Sequence, residues 1–129
     1  MDYRDVIQFI QDNFTNISHE FPWDDTPTAS VFRHTDNHKW FALLMRLQYS
    51  TLNIDQPGEV YILNPKSDPD LIEELINQSG FLPAYHMNKT HWLTILLDHT
   101  TNSEQIKPLI FLSYQLTAKK YHQKPPSML

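Results

Sequence analysis

Residues 31–47 read VFRHTDNHKWFALLMRL. Two apolar runs, 31–34 and 40–47, flank the turn-forming Thr35-Asp36-Asn37. The second run is apolar almost throughout, the pattern of a central strand rather than one with a solvated face. Runs this close in sequence pair antiparallel, because a parallel partner needs a crossover of a dozen or more residues. Pro57-Gly58 marks the next turn, and VYILN (60–64) supplies a third strand.

Helical patterns lie on either side. Tyr3, Val6, Ile7, Ile10 and Phe14 recur at helical spacing over residues 2–14, which predicts an amphipathic helix. Residues 18–30, with two prolines and several turn formers, are expected to be a loop. SDPDLIEELINQSG (67–80) predicts a second helix. Ser67 is its expected cap, Asp70 sits three residues on, Pro69 fits the first turn, and Gly80 closes it. WLTILLD (92–98) reads as a strand. Residues 101–122 read as a long terminal helix capped by Asn102 or Ser103, with Pro108 expected in its first turn or just before its start. The expected order is helix, three strands, helix, two strands, helix. This is an α+β two-layer sandwich, an antiparallel sheet with its helices on one face. Residues 1–124 form one domain, and 125–129 are expected to be a flexible tail.

At 129 residues the chain is long enough to bury a core unaided. It has no cysteine, which excludes a disulfide framework, a thiolate nucleophile and a Cys-type zinc site. The opening MDYRDVIQFIQ is acidic and amphipathic, so it does not read as a signal peptide, and the apolar runs are too short to span a membrane. A cytoplasmic monomer is the expectation. The net charge is −5, which argues against broad electrostatic capture of nucleic acid. The acid is concentrated at the start, and residues 99–129 are basic, with four lysines against Glu104. Lys119, Lys120 and Lys124 there complement a helix dipole.

The densest chemistry is PAYHMNKTHW (83–92). The segment reads as a hairpin turning at Asn88-Lys89. A two-residue loop would set His86 opposite His91, at about 5 Å between Cβ atoms. A three-residue loop would put them on opposite faces. A zinc site needs a third ligand, and no Asp or Glu follows before Asp98. A nucleophile such as Ser113 comes with no G-x-S-x-G elbow. The chain holds only Gly58 and Gly80, so it has no glycine-rich phosphate loop. Neither catalysis nor a cofactor is called for. Lys89 could meet a phosphate and Asn88 a base edge, with Arg33 and Lys39 flanking the other turn. Tyr85, Trp92, Trp40, Phe41 and Phe32 are expected in the core or at its rim.

Taken together, Pro22-Trp23, VFR (31–33), KWFAL (39–43), LNPKSDP (63–69), PAYHMNKTHW (83–92) and SYQL (113–116) resemble the MmcQ/YjbR family. The YHMNK-x-HW element is the most specific of these. Ser67 stands where relatives tend to have cysteine, and Ala84 where they tend to have glycine. The resemblance implies a CyaY-like α+β fold and a DNA-binding role through a "double wing" of strand hairpins, a label drawn from shape. On that reading the candidate DNA contacts are Lys89, Asn88, His86, His91, Lys39, Arg33 and Lys66, with double-stranded DNA as partner. The alternative is a protein- or peptide-binding adaptor that uses an exposed face or edge of the sheet.

Overall fold

A computed structural model describes residues 1–119. The expected tail, the boundary at 124, and Lys120 and Lys124 lie outside them. The elements run α1 (Tyr3–Asn13), β1 (Ile17–Glu20), β2 (Ser30–His34), β3 (Trp40–Gln48), a 3₁₀ turn (Tyr49–Leu52), β4 (Glu59–Pro65), α2 (Pro69–Leu75), β5 (Phe81–Pro83), β6 (Leu93–Leu96) and α3 (Ser103–Thr117). All strand pairs are antiparallel, in one sheet of order β1-β2-β3-β4-β6-β5. The α+β two-layer sandwich is therefore as expected, with one strand more than the sequence suggested.

That extra strand, β1, lies inside the segment read as a loop. Ile17-Ser18-His19-Glu20 is too short and polar to show a periodic signal. It forms because β2 offers an open edge, with Ile17 opposite His34 and Glu20 opposite Val31.

One face of the sheet carries the main core. Val6 and Ile10 of α1, Ile72 of α2, and Ile106 and Ile110 of α3 meet Phe32, Leu44, Leu63, Leu93 and Ile95 from the strands. β3 carries an extra residue here. Phe32 lies opposite Ala42 but Arg33 opposite Trp40, so Phe41 is bulged and packs with Ala42 in the same core. A bulge leaves backbone groups off the ladder, and these need partners. Ser113 of α3 supplies one, donating to the Phe41 carbonyl at 2.5 Å and accepting from the Lys66 amide at 2.8 Å. Ser113 is thus a buried fastener between α3 and the sheet. One turn on, Thr117 donates to the Ser113 carbonyl at 2.7 Å, which leaves its oxygen to accept from Nε2 of the buried His34 at 2.8 Å.

Three helix boundaries and the position of Pro108 differ from the expectation. Asp68, not Ser67, caps α2 by accepting from the Asp70 amide at 2.9 Å. That leaves the Ser67 hydroxyl buried without a hydrogen-bond partner. α2 stops at Leu75 rather than Gly80; Gly80 instead takes φ +89° in the turn before β5, pressed against Thr101. α3 starts at Ser103 behind an Asn102–Gln105 capping box, so Pro108 is interior, on the exposed side. It persists because burial of Ile106, Leu109 and Ile110 on the opposite side outweighs one lost hydrogen bond. α3 ends at Thr117, short of the expected reach to 122.

Candidate binding site

The outer face of the sheet is not bare. Val60, Ile62 and Leu96 point away from the helices and form a second cluster with Tyr49. Two loops cover them, one after β3 that brings Leu52 and Ile54, and one after β5 that brings Tyr85. Between these loops lies a cleft of about 480 Å³, lined by Thr51, Leu52 and Asn53 on one side and by Leu82 through His86, with Lys89, on the other.

The second wall is the YHMNKTHW segment. It is not the tight hairpin that its spacing suggested. β5 ends at Pro83 and β6 begins at Leu93, which leaves nine residues of loop between them. Trp92 makes only an isolated bridge, to Lys66. The physical reason is a buried clasp. Asn64 of β4 and Thr94 of β6 are polar residues in apolar strands, both fully buried. Thr94 donates to Asn64 Oδ1 at 2.7 Å and accepts from the Tyr85 amide at 2.9 Å, while Asn64 Nδ2 donates to the Tyr85 carbonyl at 3.1 Å. The clasp satisfies both backbone groups of Tyr85 from the sheet, so the chain leaves β5 and lies over the outer face instead of continuing the ladder. Buried polar groups stay only where they are satisfied, and here each holds the other.

The remaining polar residues serve the same loop. Asn88 Oδ1 accepts from the Thr90 amide at 2.8 Å, and the Asn88 carbonyl accepts from the Trp92 amide at 2.9 Å. Lys89 Nζ turns back to donate to the Ala84 carbonyl at 3.0 Å. His86 adopts φ +55° and sets its ring edge-on to Tyr85 at 4.1 Å between centroids. His91 is exposed, and its carbonyl accepts from the Ser67 amide at 2.9 Å. His86 and His91 are therefore not cross-strand neighbours, and among the described residues no three His, Asp or Glu side chains gather around a common point.

The other candidates sit nearby in the fold. Arg33 lies 3.6 Å from Glu20 and stacks over Trp40 at 5.7 Å, with Trp23 edge-on to Trp40. Lys39 is exposed beside the 35–39 turn, where its amide donates to Asn37 Oδ1. Lys66 follows β4 directly. Strand register brings these to one end of the sheet: β2 ends at His34, β3 starts at Trp40, Ala42 faces Pro65, and Lys66 faces Trp92. The sequence reading missed Asn64, Thr94 and the opposite wall at Thr51, Leu52 and Asn53. Asn64 and Thr94 did carry a signal, since each interrupts an otherwise apolar strand.

Fold and site together define a small α+β domain with a clasped loop over the outer sheet face. The YjbR family model matches residues 13–116, and the chain belongs to that family. It is 36% identical to the protein YyaQ of Bacillus subtilis over 114 residues, 88% of this chain and 96% of that one. A 51-residue stretch is 43% identical to the protein YjbR of Escherichia coli, covering 39% of this chain and 43% of that one. A crystal structure of a Pseudomonas syringae protein superposes with TM-score 0.87 at 37% identity, covering 92% of this chain and all of that one. The Deinococcus radiodurans protein DR2400, with a domain of the DUF419 family model, superposes with TM-score 0.72 at 29% identity, over 98% and 85% of the two chains.

Proposed function

We propose that the chain is a non-enzymatic binding module and that double-stranded DNA docks at the end of the sheet where the 35–39 turn and the 84–92 loop emerge. The observation that carries this reading is convergence: strand register brings Arg33, Lys39, Lys66 and the Lys89 loop to that one end. Two paired turns there suit a double-wing approach to a duplex. Not all four cations are equally available. Arg33 is engaged by Glu20 and Trp40, and Lys89 is drawn back by the Ala84 carbonyl to the cleft on the outer face. Lys39 and Lys66 make no ion pair within the described residues and are the phosphate contacts of this reading.

Each phosphate neutralised on duplex DNA contributes about −0.9 to the slope of log affinity against log salt, so two contacts give roughly −2. Fluorescence anisotropy with a short duplex should show weak binding at low salt with that slope. The Lys39→Ala, Lys66→Ala double variant should remove most of it. Absence of binding even at low salt would sink the DNA reading.

A second reading, a peptide-binding adaptor, is favoured by the edge strand β1. Nothing pairs with its outer side among the described residues, and the adjoining Phe21 is 58% exposed. An extended peptide could add there as a further strand. The outer face is already covered by loops, so the edge rather than the face carries this alternative. Peptide addition would shift amide resonances at 17–21 and be nearly independent of salt.

A further inference from the structure

The cleft on the outer face shares the 84–92 loop with the DNA reading but holds neither of its phosphate contacts, Lys39 and Lys66, and its construction suggests a ligand. Its apolar floor is Leu52, Leu82 and Tyr85, all members of the outer cluster. The exposed Lys89 and His86 also line it, and among the described residues no carboxylate does, in a chain with 15 acidic residues. The Lys89 ammonium is fixed by one hydrogen bond to Ala84, inside the same cleft. An ammonium has three N–H donors, so two remain to be directed at a ligand. Both walls hold non-glycine residues in the left-handed region, Asn53 at φ +61° and His86 at φ +55°. Asn and His tolerate this region, and Asn16, His38 and His99 adopt it elsewhere in the chain; at the cleft it sets the course of the two walls. The Asn64–Thr94–Tyr85 clasp holds the backbone beside His86, and Asn53 caps the end of the 3₁₀ turn. A volume of about 480 Å³ suits a small organic molecule.

From these features we infer that the cleft binds a small organic carboxylate. The apolar body would lie on Leu52, Leu82 and Tyr85, and the carboxylate would accept from Lys89. An already anchored ammonium loses little freedom on binding, which favours a charge-assisted hydrogen bond at this position.

The test uses the full chain and a matched pair of probes, 3-phenylpropionate and 3-phenylpropanol, followed by amide NMR titration. The carboxylate should give saturable shifts at Thr51, Leu52, Asn53 and at 82–89, with affinity at least about tenfold above that of the alcohol. Lys89→Arg should retain that preference, and Lys89→Met, which keeps the apolar stem, should abolish it. Because Lys89→Met also removes the tie to Ala84, Leu82→Phe provides a second arm: it fills the floor, leaves the ammonium in place, and should block both probes. Equal affinity for the two probes, shifts lying elsewhere, or unchanged binding in Leu82→Phe would each overturn the assignment. Absence of saturable binding by the carboxylate would do the same. DNA binding through Lys39 and Lys66 is read out separately, so either idea can fail alone.

Discussion

At the scale of single residues, the polar side chains of YHMNKTHW turn out to hold the loop more than they await a reaction. Asn64 is the partner that matters most. Asn64→Ala would orphan the Tyr85 carbonyl and remove the acceptor of the Thr94 hydroxyl, at about 1–3 kcal/mol for each group left unsatisfied. Urea denaturation should therefore show a loss of roughly 2 kcal/mol or more. Ser67 is the opposite case. Its hydroxyl is buried and unpaired, so Ser67→Ala should leave stability unchanged or raise it by up to about 1 kcal/mol; a loss of that size in the same assay would show an unseen partner.

Two titrating side chains give the stability a pH dependence of known sign. His19 stacks on Phe32 at 4.1 Å and is partly buried, and burial lowers its pKa below the ordinary 6.5. The unfolded chain thus binds this proton more readily. The stability it contributes is present above pH 6.5 and is lost as pH falls through the lowered value. Tyr49 behaves the other way. Burial, and then its 2.7 Å hydrogen bond to Asp98, push it up to about 12 from 10. Its contribution is present below pH 10 and fades as pH rises toward 12. Asp98 is held below its ordinary value: burial raises it, but hydrogen bonds from Thr100 and Tyr49 outweigh that. Melting curves across pH should show both limbs, and Tyr49→Phe should flatten the alkaline one.

At the scale of elements, propensity and packing disagree in α3. Pro108 withholds the N–H that the Glu104 carbonyl would accept in a regular helix. Because Pro108 is exposed, Pro108→Ala should restore that bond without disturbing the core, raising stability by about 1–3 kcal/mol and the midpoint of unfolding with it. Gly80 sits at the other extreme. At φ +89°, a Cβ there would come 2.6 Å from Thr101 Cγ2, so Gly80→Ala should cost more than about 1 kcal/mol. The elements themselves were largely readable. α1, β2, β3, β4 and α2 follow apolar periods and turn residues that act locally. β1 was not readable, because an edge strand of four mixed residues is stabilised by its neighbour rather than by its own pattern. The 84–92 loop was misread for a related reason. Asn88-Lys89 between two apolar flanks looks like a turn, but Tyr85 is held by Asn64, 21 residues away.

At the scale of the molecule, the sheet divides two unequal cores. The helix side buries the larger cluster, and among the described residues the outer side is closed by loops. Hydrogen exchange should follow this division. Amides of β3, β4 and β6 should exchange slowest, and the Tyr85 and Trp92 amides, which donate to Thr94 and Asn88, should be protected well beyond those of the exposed 35–39 turn. If Tyr85 exchanged as fast as that turn, the clasp and the cleft it shapes would not persist in solution. By itself, the sequence determined what short-range physics governs: the α+β class, most helices and strands, the antiparallel pairing of the central strands, and family membership. The tertiary structure alone decided which basic groups are free, that the two histidines do not face one another, and that two loops enclose a cleft. Those outcomes depend on hydrogen bonds and ion pairs between residues far apart in the chain, and no local pattern encodes the partner of a buried polar group.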